Sequence, residues 1–234
     1  KTVSGEKDIM KDQKYESPTA PYYDEREIAW SPDSKYIAYT SKRLRGIEDA
    51  RSTNSDIFLH ELASGKEINL TEGNSGYDRY PVFSPDGSKI AYQSMERNGY
   101  EADLDRLFVF DINKRTRSWI TKGWQFDVEN LSWAGDSNLW FTCSHLGTAQ
   151  IFKTDLNTGN VEKVTEGVHN LGPLGLSQGG LGFAEQRNDR GLAELGDGSL
   201  PGRIEACDEI EGASRLDVRD RESGDFLSRN GEVP

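Results

Sequence analysis

The sequence predicts an all-β fold: a partial β-propeller of about three four-stranded blades, followed by an irregular C-terminal tail. Three observations carry this expectation. A strand–turn–strand unit occurs as Glu27–Ser41 (EIAWSPDSKYIAYTS), returns as Tyr80–Ser94 (YPVFSPDGSKIAYQS), and returns less regularly as Asn130–Ser144 (NLSWAGDSNLWFTCS). A second hairpin follows each copy, over Asp56–Gly73, Arg106–Gly123 and Gln150–Gly167, and each ends in Thr-x-Gly. Equivalent landmarks, such as Trp30 and Phe83 or Thr71 and Thr121, recur at intervals of about 50 residues, the period of a four-stranded propeller blade.

Lys1–Arg26 is polar, carries Pro18, Pro21 and Tyr22-Tyr23, and reads as a linker or as a segment that closes the ring. Blade one then covers about Glu27–Thr71, blade two about Tyr80–Thr121 and blade three about Asn130–Thr165, which gives a propeller region over 27–169. Within each first hairpin, Ser31-Pro32-Asp33-Ser34 and Ser84-Pro85-Asp86-Gly87 have the residues of a type I turn: Ser at the first position, Pro presetting φ at the second, Gly suited to the last. Ala134-Gly135-Asp136-Ser137 is the third version, and Asp33, Asp86 and Asp136 are read as turn-stabilising. The following strands alternate strictly, Ile37 and Tyr39 against Ala38 and Thr40, then Ile90 and Tyr92 against Ala91 and Gln93. Trp30, Phe83 and Trp133 end the first strands and are expected in the core between blades.

Alternating strand directions put the hairpin turns on one face and the remaining links on the other. Those links are long and charged: Lys42–Ser55, Glu72–Arg79, Met95–Asp105 and Lys122–Glu129. Function on such scaffolds concentrates in loops of this kind. After His169 the character changes. Lys163 is the last lysine, Tyr100 the last tyrosine and Trp140 the last tryptophan, and 170–234 lacks two-residue periodicity apart from Leu174–Phe183, which reads as the remnant of a fourth first hairpin. The tail is expected to be disordered or not the native reading frame.

A net charge of −12 argues against nucleic acid or an anionic membrane surface as partner. No apolar run approaches the length of a membrane span. The chain begins at Lys1 without a signal-peptide core, as a processed protein or a fragment would. Cys143 lies in a strand and reads as a buried thiol, and Cys143 and Cys207 lack metal or redox spacing. His60, His145 and His169 lack the short spacing of metal ligands, so neither a metal nor another cofactor is expected.

Gly175-Leu176-Ser177-Gln178-Gly179 fits G-x-S-x-G, the nucleophile elbow. That elbow needs a buried strand before it, a helix after it, and an Asp and a His downstream. All three histidines precede Ser177, so chance in a Gly-rich stretch is the better account and no residue of this chain is expected to be catalytic. The charged loops stay open between two readings. Arg43, Arg45, Arg51, Arg79 and Arg97 stand with Glu48, Asp49, Asp78, Glu96 and Glu101 either as a solvated face with weak ion pairs, or as a surface that docks a second domain or holds a peptide's charged terminus.

The repeat W/F-S-P-D-G/S-x-x-I-A-Y resembles the TolB-like propeller repeat. The strings Ser52–Ile57 (STNSDI), Asn69–Gly73 (NLTEG), Gly76–Asp78 (GYD) and Ser94–Glu101 (SMERNGYE) resemble more closely the propeller of prolyl oligopeptidase family serine peptidases, of dipeptidyl-peptidase or acylaminoacyl-peptidase type, over about 24–169. The resemblance implies a peptide substrate, a secreted or periplasmic location, and a C-terminal α/β-hydrolase domain with a Ser-Asp-His triad that this chain stops short of. It implies that the propeller gates or shapes access to that domain. In some members, propeller acids grip the substrate's amine. Glu96, Arg97, Tyr100 and Glu101 are the corresponding substrate-binding candidates, although Glu96 and Glu101 are not the adjacent acidic pair of dipeptidyl peptidases. The alternative is a periplasmic TolB-type scaffold that binds another protein and has no catalytic activity.

Overall fold

The computed structural model describes residues 8–11, 13–21, 23–168, 170–177 and 180–185. These belong to the first of two units, Lys1–Ile204; the second, Glu205–Pro234, lies outside the described residues. Blade one is the antiparallel sheet β1 (Ile28–Trp30), β2 (Tyr36–Ser41), β3 (Asp56–Glu61) and β4 (Glu67–Asn69), in that spatial order. Blade two is β5 (Asp78–Phe83), β6 (Lys89–Ser94), β7 (Arg106–Asp111) and β8 (Thr116–Trp119). Blade three is β9 (Glu129–Trp133), β10 (Asn138–His145), β11 (Thr148–Asp155) and β12 (Val161–Lys163). β1 lies beside β5 and β5 beside β9, so the first strands are the inner strands of the arc.

The repeated turns form as their composition dictates. The Ser34 N–H donates to Ser31 O (2.9 Å) and the Gly87 N–H to Ser84 O (2.8 Å). Asp33 accepts from the Ser31 hydroxyl (2.7 Å) and the Lys35 N–H (3.1 Å), and Asp86 from the Ser84 hydroxyl (2.6 Å) and the Ser88 N–H (2.9 Å). Asp136 departs from the expectation. It accepts from the Asp86 N–H (3.0 Å), tying the turn of blade three to that of blade two. The physical reason is Ala134, which stands where Ser31 and Ser84 supply a hydroxyl to the turn aspartate, in a turn that is also one residue shorter, its Ala134 N–H bonding to Asn138 O.

The Thr-x-Gly ending has a structural role that its recurrence alone did not disclose. Thr71, Thr121 and Thr165 are buried, and their hydroxyls accept from the backbone N–H of Ile57 (3.0 Å), Leu107 (3.2 Å) and Ile151 (3.0 Å). Each threonine thereby clasps the third strand just beyond the end of the fourth. The glycine two residues on turns the chain away at positive φ (88° at Gly73, 93° at Gly123 and Gly167), where a side chain would be strained.

Strand alternation gives each sheet two apolar faces. Ala38, Ile57 and Leu59 of blade one pack against Phe83, Ile90, Tyr92 and Phe110 of blade two. Ala91, Leu107 and Val109 of blade two pack against Trp133, Leu139, Phe141 and Phe152 of blade three. Phe83 and Trp133 are thus seam residues, as expected. Trp30 is not: it is 60% exposed. The register pairs Trp30 with Ile37 and Ile28 with Tyr39, so its side chain lies on the face of blade one that no blade covers among the described residues.

The N-terminal segment occupies part of that face. Ile9 and Met10 pack on Ile37, Tyr39 and Phe58. The Thr19 hydroxyl donates to the buried Glu27 carboxylate (2.8 Å) and the Ser41 hydroxyl to Glu16 O (3.2 Å). The described part of 1–26 contains no strand, and its contacts through Ile9, Met10 and Glu16 lie along blade one. At the other end, β13 (Leu171–Ser177) and β14 (Gly180–Glu185) form a hairpin with Leu174 opposite Phe183, and β13 adjoins β9. The hairpin remnant is therefore a formed hairpin, and regular structure continues past the boundary drawn at His169. The expectation for the rest of 170–234 lies outside the described residues.

Candidate functional site

Three of the four hairpin-to-hairpin and blade-to-blade links, 42–55, 72–79 and 95–105, meet on one face, opposite the Ser-Pro-Asp turns. Lys42–Ser55 contains a single helical turn, Ile47–Arg51, that carried no signal in the strand pattern. The Met95–Asp105 loop leans on this link. Asn98 Oδ1 accepts from the Ser52 hydroxyl (2.8 Å) and the Thr53 N–H (2.9 Å), and the Gly99 N–H donates to the Thr53 hydroxyl (2.8 Å). From below, Asn74 Nδ2 donates to Met95 O (2.8 Å) and the Ser75 hydroxyl to Glu96 O (3.0 Å). Gly76 lets the two loops close up: a Cβ there would stand 2.5 Å from Met95 O.

Inside the loop, Asp103 is the organiser. Its carboxylate accepts the N–H groups of Glu96 (3.1 Å) and Arg97 (2.8 Å) and pairs with the Arg97 guanidinium (2.9 Å). Arg97 and these backbone donors hold the Asp103 carboxyl down at about 2. Arg97 also lies 4.0 Å over the Tyr100 ring, leaving that ring exposed at the loop's crest. Glu96 pairs with Arg106 (3.0 Å), whose guanidinium also donates to Ser94 O (3.1 Å). Glu101 is exposed and makes no ion pair among the described residues. The four candidates are therefore gathered on one loop, but only Glu101 presents an uncommitted carboxylate.

Beneath the loops lie buried charges. Arg79 pairs with Asp105 (3.1 Å), and burial raises the Asp105 carboxyl against the pull of Arg79. Burial pushes Asp78 up to about 7; its Oδ2 accepts from Asn74 (3.0 Å). Tyr80 and Asn130 occupy β-bulges of the inner strands at positive φ (56° and 50°). Both face Arg26, which stands 4.5 Å over the Tyr80 ring and donates to Asn130 Oδ1 (3.0 Å), spanning blades one to three. Bulges of this kind re-aim side chains.

Other candidates fall elsewhere. Ser177 ends β13 and pairs with Gly180 of β14, so the next described element after Ser177 is a strand rather than a helix. His60 is buried in β3, His145 stacks edge-on against Phe126 (4.7 Å), and His169 lies outside the described residues. Cys143 is fully buried with its thiol pushed up to about 12 by that burial; Cys207 lies outside the described residues. Arg43 is a packing residue, paired with Glu67 (2.6 Å) and 3.5 Å over Phe58. Asp103 and Asn98, which shape the loop, were missed by sequence reasoning. The signal available was an Asp and an Asn inside a loop dense in backbone donors. No helix among the described residues is long and apolar enough to cross a membrane.

Comparison with known proteins agrees with this architecture. The family model described as TolB beta propeller domain matches residues 25–194. A dipeptidyl-peptidase 5 of Porphyromonas gingivalis is 37% identical over 210 residues, covering 89% of this chain and 29% of that protein. A dipeptidyl-peptidase 5 of Porphyromonas endodontalis is 50% identical over 103 residues, covering 44% of this chain and 15% of its own length. The chain thus spans less than a third of these curated relatives. Among solved structures, a TolB-type protein from Agrobacterium tumefaciens superposes with a TM-score of 0.55 at 20% identity, covering 68% of this chain and 53% of that one. An acylaminoacyl peptidase of Pyrococcus horikoshii superposes with a TM-score of 0.53 at 19% identity, covering 68% of this chain and 23% of that one. Three blades of one repeat, each ended by the same threonine clasp, lie within the residues that the family model matches, and the chain belongs to the TolB β-propeller domain family.

Proposed function

We propose that this chain is the propeller portion of a secreted or periplasmic serine peptidase of the dipeptidyl-peptidase 5 type, in which the propeller docks a hydrolase domain and shapes peptide access to it. The observation that carries this reading is the identity with the P. gingivalis dipeptidyl-peptidase along most of the chain. The Met95–Asp105 loop is the part that meets the peptide. It is braced from two neighbouring links, so it is preorganised, and its free carboxylate at Glu101 beside the Tyr100 ring suits a peptide's ammonium end. Glu96 and Arg97 hold the loop's shape through Arg106 and Asp103.

The full-length gene product and this chain are assayed for release of a chromogenic amine from dipeptidyl substrates. The full-length protein turns over and this chain does not. Glu101→Gln in the full-length protein raises KM with little change in kcat, because the lost contact is made equally in the ground and transition states. Absence of turnover by the full-length protein would favour the TolB-type scaffold, a second reading supported by the family model itself.

A further inference from the structure

Adjacent blades diverge away from the inner strands, and between blades one and two the outer wedge is open. It holds a cavity of about 480 Å3 with Ile68, Leu70 and Phe110 as apolar lining and Glu72, Arg115 and Arg117 among its polar groups. A second recess of about 180 Å3 shares Ile68 and Arg115, so the two run together along β4. Leu70 and Phe110 are buried at the base. Arg117 is fixed across the seam by its bond to Thr71 O (3.1 Å). Arg115 is exposed, sits at a turn with φ of 53°, and makes no ion pair among the described residues. The cleft is mixed in character, with two arginines against one glutamate in the larger cavity, and an uncommitted arginine there stands out in a chain of net charge −12.

β4 borders this wedge and is the outermost strand of blade one. The residues that flank it bond to β3, Leu70 N–H to Ile57 O and Glu61 N–H to Lys66 O. With Asn69 opposite Phe58 and Glu67 opposite His60, the antiparallel pattern turns the backbone N–H and C=O groups of Glu67 and Asn69 outward, away from β3. An open edge of this kind is a template for a further strand.

We propose that this edge and wedge form a docking site for an extended peptide segment of a partner protein, carrying an acidic side chain two residues from an apolar one. The segment pairs with the outward groups of Glu67 and Asn69. Its two-residue period then puts both side chains on the wedge side: the apolar one over Ile68, Leu70 and Phe110, the acid against Arg115. The site lies at the outer rim, away from the Met95–Asp105 loop, and does not depend on any peptidase activity.

The test is fluorescence polarisation with a labelled, end-blocked probe, Thr-Thr-Leu-Thr-Glu-Thr-Thr, and a counterpart with Lys in place of Glu. Saturable binding of the acidic probe, at least tenfold tighter than the Lys probe, is expected, with the preference reversed by Arg115→Glu at an exposed position that leaves the core untouched. Methylating the probe's backbone nitrogens should weaken binding at least tenfold, which simple charge attraction would not. Equal binding of the two probes, indifference to R115E, or no saturable binding at millimolar probe would overturn the proposal. Binding of decanoate with the same R115E sensitivity, without peptide binding, would assign the cavity to a small amphiphile and overturn it equally.

Discussion

The indole N–H of Trp133 donates to the backbone carbonyl of Val82 at 2.9 Å, so one side chain both fills the seam between blades two and three and bonds across it. Trp30 is the same position of the repeat in blade one, with the opposite environment. Trp133→Ala should therefore cost about 3–5 kcal/mol, the usual cost of emptying a large aromatic site plus an orphaned carbonyl. Trp30→Ala should stay within about 0.5 kcal/mol. Urea denaturation of the two variants checks the contrast. Comparable losses would mean that something covers the open face of blade one.

The threonine clasp gives a second expectation. Thr121→Val keeps the shape but leaves the buried Leu107 N–H without its acceptor, which costs about 1–3 kcal/mol. Thr121→Ser keeps the hydroxyl and should recover most of the loss. If valine and serine variants melt together, the bond contributes nothing and the threonine is there for its methyl group.

Asp78 makes stability depend on pH in an unusual direction. Its carboxyl is raised to about 7 by burial, so the folded state holds this proton more tightly than the unfolded chain does. The stabilisation is complete below the ordinary carboxylate pKa and fades as pH rises toward 7, where a buried anion must be tolerated. Asp78→Asn, which keeps the size and an acceptor for Asn74, should raise the melting temperature at pH 8 relative to the parent and narrow to little difference at pH 4. A variant that is less stable at pH 8 would show that the ionised carboxylate is well solvated.

The blades were legible because the signals that specify them are local. The alternation of Ile37, Ala38, Tyr39 and Thr40 and the Ser-Pro-Asp-Gly turn act within a few residues, and the structure follows them. What escaped depends on distant partners. Trp30 has a seam residue's sequence, but its burial depends on a neighbouring blade. Asp136 looks like Asp86, yet without a serine at 134 its carboxylate bonds to the neighbouring blade instead. Tyr80 and Asn130 take positive φ without being glycine, a strain that only the surrounding bulges explain. Glu96 and Glu101 were indistinguishable as loop acids until the fold brought Arg106 to one of them.

The loop's shape should rest on Asp103 rather than on the candidates themselves. Three donors converge on its carboxylate: two backbone N–H groups and the Arg97 guanidinium that carries the Tyr100 ring. An ionised oxygen pair accepts such bonds more strongly than an amide does. The carboxyl is held down at about 2, so this contribution is present above the ordinary carboxylate pKa and is lost as pH falls from about 4 toward 2. Asp103→Ala should leave the seams intact, because the loop lies outside both clusters that join the blades. Amide exchange at Glu96 and Arg97 should speed up at least tenfold, with little change at Leu107 or Ile90 in the core. On the proposed peptidase function, the same substitution in the full-length protein should raise KM for dipeptidyl substrates, since a loosened loop would no longer present Glu101 in one place. Combined with Glu101→Gln, it should add little further, because both changes remove the same contact. Fully additive effects on KM would mean that Asp103 acts on something other than the presentation of Glu101.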